Sequence, residues 1–145
     1  MLIVLKVAGA TTNGIYLFQE RVNLNSTNST GIFAQNYGTG LGVTTGAGTS
    51  VTGGNSGILA RNNGTGALAI NANGDVTGTN NYGIYARNVS GTDLTLTTAA
   101  GTTVTGGRPA LLLARVQGRR ALSSTATLLA RPLTASLRRA TALSL

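Results

Sequence analysis

Three segments of the chain align with one another at a constant separation. Gly31-Ile32-Phe33-Ala34-Gln35-Asn36, Gly57-Ile58-Leu59-Ala60-Arg61-Asn62 and Gly83-Ile84-Tyr85-Ala86-Arg87-Asn88 follow each other every 26 residues. A fixed period of this length is the mark of a chain built from one supersecondary unit that buries its apolar face against its own copies. Inside each unit a second apolar pair recurs, Leu41 with Val43, Leu68 with Ile70 and Leu94 with Leu96. A third landmark closes the unit: Val51-Thr52-Gly53, Val76-Thr77-Gly78 and Val104-Thr105-Gly106. Each landmark is a short alternation of apolar and other residues between Gly, Asn and Thr, the pattern of a brief strand between turns. Each unit therefore predicts three strands and three turns.

Copies stacked along an axis set Ile on Ile, Leu on Leu and Val on Val, with backbone bonds between units at a spacing of about 4.8 Å. The expected fold is all-β, a parallel β-helix or solenoid of about three to four rungs. With a two-residue side-chain period, Ile32 and Ala34, Ile58 and Ala60, and Ile84 and Ala86 face inward, while Phe33, Leu59 and Tyr85 face outward. Asn36, Asn62 and Asn88 end the first strand of each unit. Asn tolerates a left-handed corner, and stacked amides can bond along the stack, so a structural ladder is the expectation there. Gly38, Gly40 and Gly42 superficially suggest a phosphate loop, but no Lys follows and no helix pattern succeeds them, so they read as turn glycines.

Charge separates the chain into parts. The formal net charge is +8, yet residues 1–107 hold Lys6, Arg21, Arg61 and Arg87 against Glu20, Asp75 and Asp93, a balance of +1. The other seven Arg lie in 108–145, with no acid among them. Three parts follow: 1–30 as an atypical first rung or N-terminal cap, 31–107 as the repeats, and 108–145 as a tail rich in Arg, Leu and Ala. The start, Met1 to Leu5, is apolar but lacks a basic region before it and is cut short by Lys6, so it makes a poor signal peptide. No stretch reaches the roughly 20 apolar residues needed to span a bilayer as a helix.

Gly-Ile-x-Ala-Arg-Asn, then Gly64-Thr65-Gly66-Ala67-Leu68, then Val-Thr-Gly, resembles the passenger region of bacterial autotransporters, especially the long repetitive ones of alphaproteobacteria. The likeness covers residues 31–107 and, more loosely, Gly14-Ile15-Tyr16. The resemblance implies a right-handed β-helix exported through the outer membrane by a C-terminal barrel, displayed at the cell surface or secreted, and engaged in adhesion to host or neighbouring-cell molecules. No signal peptide and no barrel are recognisable in this sequence, so the chain reads as a piece of such a protein. Open strand edges at the ends of the stack would also permit edge-to-edge self-association.

The tail is foreign to the repeat. Residues 108–145 hold ten Leu, eight Ala and seven Arg but a single Gly and no Asn. One reading is a helical or disordered tail, with basic amphipathic helices around Pro132 that could touch anionic lipid or nucleic acid. The favoured reading is a continuation of the repeats in the wrong frame. Gly118-Arg119-Arg120-Ala121-Leu122 can be encoded so that dropping one nucleotide restores Ala-Gly-Ala-Leu, close to Thr65-Gly66-Ala67-Leu68. On that reading the arginines were never selected to bind anything, and no nucleic-acid partner is expected.

Catalytic chemistry finds little to use. There is no His and no Cys, and Lys6 is the one lysine. Glu20 stands outside the repeats, and Asp75 and Asp93 adjoin different strands of their units, so no carboxylate pair is expected for acid–base work. Ser and Thr lack a partner that would activate them. No catalytic residue, no metal ligand and no cofactor-binding residue is assigned, and the chain is expected not to be an enzyme. Four glycosylation-type triplets, at Asn25, Asn28, Asn63 and Asn88, are what chance supplies in a chain so rich in Asn and Thr. The best candidate for a binding surface is a stripe formed by Arg61 and Arg87 beside Phe33, Leu59 and Tyr85, since cationic and aromatic columns can grip carbohydrate, lipid or protein.

Overall fold

The computed structural model describes residues 3–7, 15–19, 23–115, 119–124 and 127–130, with side chains over 23–111. The chain winds through three strand positions per coil and returns each time to the same place. Sheet A holds, in spatial order, β1 (Ile3–Val7), β4 (Ile32–Asn36), β7 (Ile58–Asn62), β10 (Ile84–Asn88) and β13 (Leu111–Arg115). Sheet B holds β2 (Ile15–Gln19), β5 (Leu41–Thr45), β8 (Leu68–Ala72), β11 (Asp93–Thr98) and β14 (Arg119–Ser124). Sheet C holds β3 (Leu24–Ser26), β6 (Ser50–Gly53), β9 (Asp75–Gly78), β12 (Thr103–Gly106) and β15 (Thr127–Ala130). Every pairing is parallel, so the protein is a parallel β-solenoid.

The register follows the repeat. Ile32, Ile58 and Ile84 are paired in sequence, as are Leu41, Leu68 and Leu94 on sheet B and Val51, Val76 and Val104 on sheet C. These nine side chains are almost fully removed from water, and with Ala34, Ala60, Ala86, Val43, Ile70 and Leu96 they form one continuous core. Burying a Leu, Ile or Val is worth about 1.5–3 kcal/mol each, and stacking equivalent residues leaves few voids between coils.

The corners explain why Gly opens each repeat. A Cβ on Gly57 would lie 2.5 Å from Val76 Cγ1 and 2.7 Å from the Gly83 carbonyl oxygen, and Gly31 and Gly83 meet the same obstacles from Val51 and Val104. The turn from sheet C to sheet A passes too close to the core valine for any side chain. The corner from B to C is different. In two coils it is a four-residue turn closed by Thr49 N to Gly46 O at 3.4 Å and by Thr102 N to Ala99 O at 3.2 Å. Gly48 and Gly101 sit at its third position with φ of 70° and 78°, the left-handed region that glycine adopts without cost. In the middle coil the same corner shrinks to Asn73-Gly74, whose backbone N–H groups both donate to Thr45 Oγ1, at 3.0 and 3.1 Å.

Two sequence expectations change. Gly14-Ile15-Tyr16 resembles the opening of a repeat, but Ile15 pairs with Leu41 on sheet B, and the position of Ile32 is taken in the preceding coil by Ile3. The apolar start of the chain is thus a strand of the first coil. The expected helical or disordered tail is also corrected over 111–115, 119–124 and 127–130, where β13, β14 and β15 add a strand to each sheet. Helix propensity there is outweighed by the open edge of β10, β11 and β12, which offers a row of unpaired N–H and C=O groups to the next segment of chain. The remainder of the proposed helices, 131–145, lies outside the described residues. No helix among the described residues is long and apolar enough to cross a membrane.

Candidate functional site

The outer face of sheet A carries the predicted stripe. Phe33, Leu59 and Tyr85 are direct neighbours in register across β4, β7 and β10, and Gln35, Arg61 and Arg87 form the adjoining column two residues along. Residues at these positions point away from the core because Ile32, Ala34 and their equivalents on either side point into it. All of the stripe except Gln35 is partly exposed, and Gln35 is buried, with only 9% of its surface exposed. The Tyr85 ring also packs on Tyr82, with centroids 5.6 Å apart at a tilt of 47°. Tyr37, just past β4, is the most exposed large apolar residue among those described.

Both columns extend beyond the repeats in register. Val4 pairs with Phe33 and Lys6 with Gln35 at one end, and Leu112 pairs with Tyr85 at the other. Among residues with described side chains, the face reads along the stack as an apolar column of Phe33, Leu59 and Tyr85 beside a column of Gln35, Arg61 and Arg87. The sequence alone did not indicate Val4 or Lys6, because they lie outside the matching repeats. Tyr82 was missed as well. It occupies the position of Thr30 and Ser56, so its aromatic character appears in one copy only and leaves no periodic signal.

Arg61 and Arg87 are paired residues on adjacent strands, so their columns advance by about 4.8 Å per coil. Two like charges at that separation repel by about 1 kcal/mol in water, a cost that an anion held between them would reverse. The described acids lie elsewhere: Asp75 starts β9 on sheet C and Asp93 starts β11 on sheet B. Neither Arg61 nor Arg87 has an ion-pair partner among the described residues. Arg61 Nε is buried and has no hydrogen-bond partner among the described residues, while the residue as a whole is partly exposed.

The three asparagines form a buried chain of amides. Asn36 Nδ2 donates to Asn62 Oδ1 at 2.8 Å, and Asn62 Nδ2 donates to Asn88 Oδ1 at 3.1 Å. Asn36 Oδ1 and Asn62 Oδ1 also accept the backbone N–H two residues on, from Gly38 at 3.0 Å and Gly64 at 3.1 Å. Their Nδ2 groups reach the turn carbonyls of Gly40 at 3.0 Å and Gly66 at 2.9 Å. All three side chains are fully buried, so Asn88 is no glycosylation acceptor in the folded chain and the ladder holds the A-to-B corner together.

A second surface feature lies at the B-to-C corner, where a depression of about 470 Å³ is lined by residues including Asn23, Thr49, Ser50, Asn73, Asp75 and Thr102. Its one carboxylate is engaged: Asp75 Oδ1 accepts the Thr103 N–H at 2.7 Å, just as Asn23 Oδ1 accepts the Ser50 N–H at 2.8 Å. Asp75 and Asp93 start strands of different sheets, so they form no paired acid and base. Among the described residues no group of three or more His, Cys, Asp or Glu comes together. None of the known protein families, curated proteins or solved structures compared with the chain matches it.

Proposed function

We propose that the chain is a non-catalytic section of a cell-surface β-helix of the autotransporter-passenger type, whose work is display and contact. The observation that carries this reading is the outer face of sheet A, where equivalent residues of successive coils line up as a cationic and an apolar column. A solenoid turns each residue of a repeat into a linear array, and arrays of this kind suit contact with an extended or repeating surface. The resemblance of 31–107 to passenger repeats supplies the setting at the outer membrane. The test is adhesion of cells carrying the intact protein with Arg61→Ala, Arg87→Ala and Tyr85→Ala combined. Adhesion should fall with surface expression unchanged; adhesion equal to that of the unaltered protein removes the stripe as the contact.

A second reading has its own observation. In the last coil Arg120 stands in register with the buried Leu94, Arg115 with the ladder residue Asn88, and Leu113 with the fully buried Ala86. Arg at the register positions of two buried columns and Leu at that of a column of alanines are what an out-of-frame continuation would supply, which favours a truncated or frameshifted product without function. The nucleotide sequence decides it: an alternative frame downstream of Gly107 must contain a segment like Gly-Ile-x-Ala-Arg-Asn, and a sequence with none in any frame excludes this reading.

A further inference from the structure

We infer that the outer face of sheet A is a binding track for a linear acidic polysaccharide, its sugar rings on the Phe33, Leu59 and Tyr85 column and its carboxylate groups on Arg61 and Arg87. This rests on the contact reading above and names the ligand class. Charge complementarity carries it: Arg61 and Arg87 are stacked on adjacent strands, form no ion pair among the described residues, and share a face on which the described strands place no acid. Guanidinium groups take carboxylates through paired, charge-assisted hydrogen bonds, and a row of them suits a ligand whose charge repeats along its length. The neighbouring column explains why that ligand is a sugar chain. Phe33, Leu59 and Tyr85 are half-buried in the sheet surface, and an apolar strip with aromatic rings suits the C–H face of a pyranose ring.

The tail arginines attract any polyanion, so the experiment must separate track from tail. The full chain is titrated with polygalacturonate at about 0.15 M salt, where long-range attraction is screened. Dextran serves as the uncharged probe, and duplex DNA and phosphatidylglycerol vesicles serve as competing polyanions. Arg61→Gln with Arg87→Gln should weaken polygalacturonate binding by about tenfold or more. Arg138→Gln with Arg139→Gln removes the same charge from the tail and should change it by less than about twofold. Tyr85→Ala, which alters no charge, should also weaken it. Arg61, Arg87 and Tyr85 lie outside the core on the outer face of sheet A, and an unchanged β-type circular dichroism spectrum checks that every variant still folds.

Equal losses from the two double variants, tighter binding to DNA or vesicles through the same arginines, or no binding to polygalacturonate would each overturn the track. If cell adhesion depends on the stripe while polygalacturonate is ignored, the contact reading stands and the glycan fails. If glycan binding is lost in the Arg61 and Arg87 variant while adhesion is unaffected, the track stands and the contact reading fails.

Discussion

Removing Asn62 should damage the solenoid more than removing Asn36, although the two residues are equivalent in the repeat. The difference comes from position in the ladder. In Asn62→Ala the Gly64 N–H loses its acceptor and Asn88 Oδ1 loses its donor, so two groups closed off from water are left unpaired. The Asn36 amide keeps its bond to the Gly40 carbonyl, and the Gly66 carbonyl keeps the bond from Asn88 Nδ2 at 3.2 Å. In Asn36→Ala the Gly38 N–H is the one fully buried group orphaned, because Asn62 Oδ1 still accepts from Gly64, and the Gly40 carbonyl that also loses the Asn36 amide is only partly buried and within reach of water. At about 1–3 kcal/mol for each buried group without a partner, Asn62→Ala costs about 2–5 kcal/mol and Asn36→Ala about 1–3 kcal/mol. Urea unfolding of the full chain, followed by circular dichroism, reads the difference. With a slope of about 1–3 kcal/mol per molar urea, the Asn62→Ala midpoint should lie about 1 M below that of Asn36→Ala. A solenoid is held together by nearest-neighbour contacts, so a break in the central coil should also broaden the transition. Equal midpoints, or a lower one for Asn36→Ala, would show that the amide chain does not couple the coils as described.

Two further substitutions test the corners and the last coil. Gly57→Ala forces a Cβ against Val76 and the Gly83 carbonyl and should cost about 1–3 kcal/mol, seen as a lowered thermal midpoint; a change within about 0.5 kcal/mol would mean that the corner relaxes around a methyl group. Arg120→Leu restores the residue type of the Leu94 column and should add up to about 1.5–3 kcal/mol to the last coil, seen as slower amide exchange in β14; unchanged exchange would show that this register position is not a core position.

The repeat made sheets A, B and C legible because three landmarks recur in three copies, and a column of Ile, Leu or Val needs no other information. What stayed hidden departs from the repeat. Ile3–Val7 matches no Gly-Ile-x-Ala-Arg-Asn segment, yet it is rich in the β-branched residues a strand favours, and β4 supplies the edge on which it forms. Leu111–Arg115 carries residues that favour helix in isolation, and only the neighbouring strand decides otherwise. The stripe was legible in part: Arg61, Arg87 and Tyr85 repeat, whereas Tyr82, Val4 and Lys6 come to it through the coil path and not through similarity. Asn36, Asn62 and Asn88 could be read as a ladder from spacing alone, but their bonds to Gly38, Gly40, Gly64 and Gly66 depend on the turn path that follows.

The B-to-C corner gives the molecule a form of tolerance that the strands lack. One coil passes it in two residues and its neighbours in four, while the first-strand register on either side remains at 26 residues. The two residues missing there are regained one at each of the other corners, 63–67 against 37–40 from A to B and 79–83 against 54–57 from C to A, so phase in this chain is set by where the backbone returns while residue count drifts at every corner. An insertion placed after Asn73 would project outward as a loop and leave every column aligned. The same insertion inside β8 would turn its apolar set to the solvent and cut the stack in two.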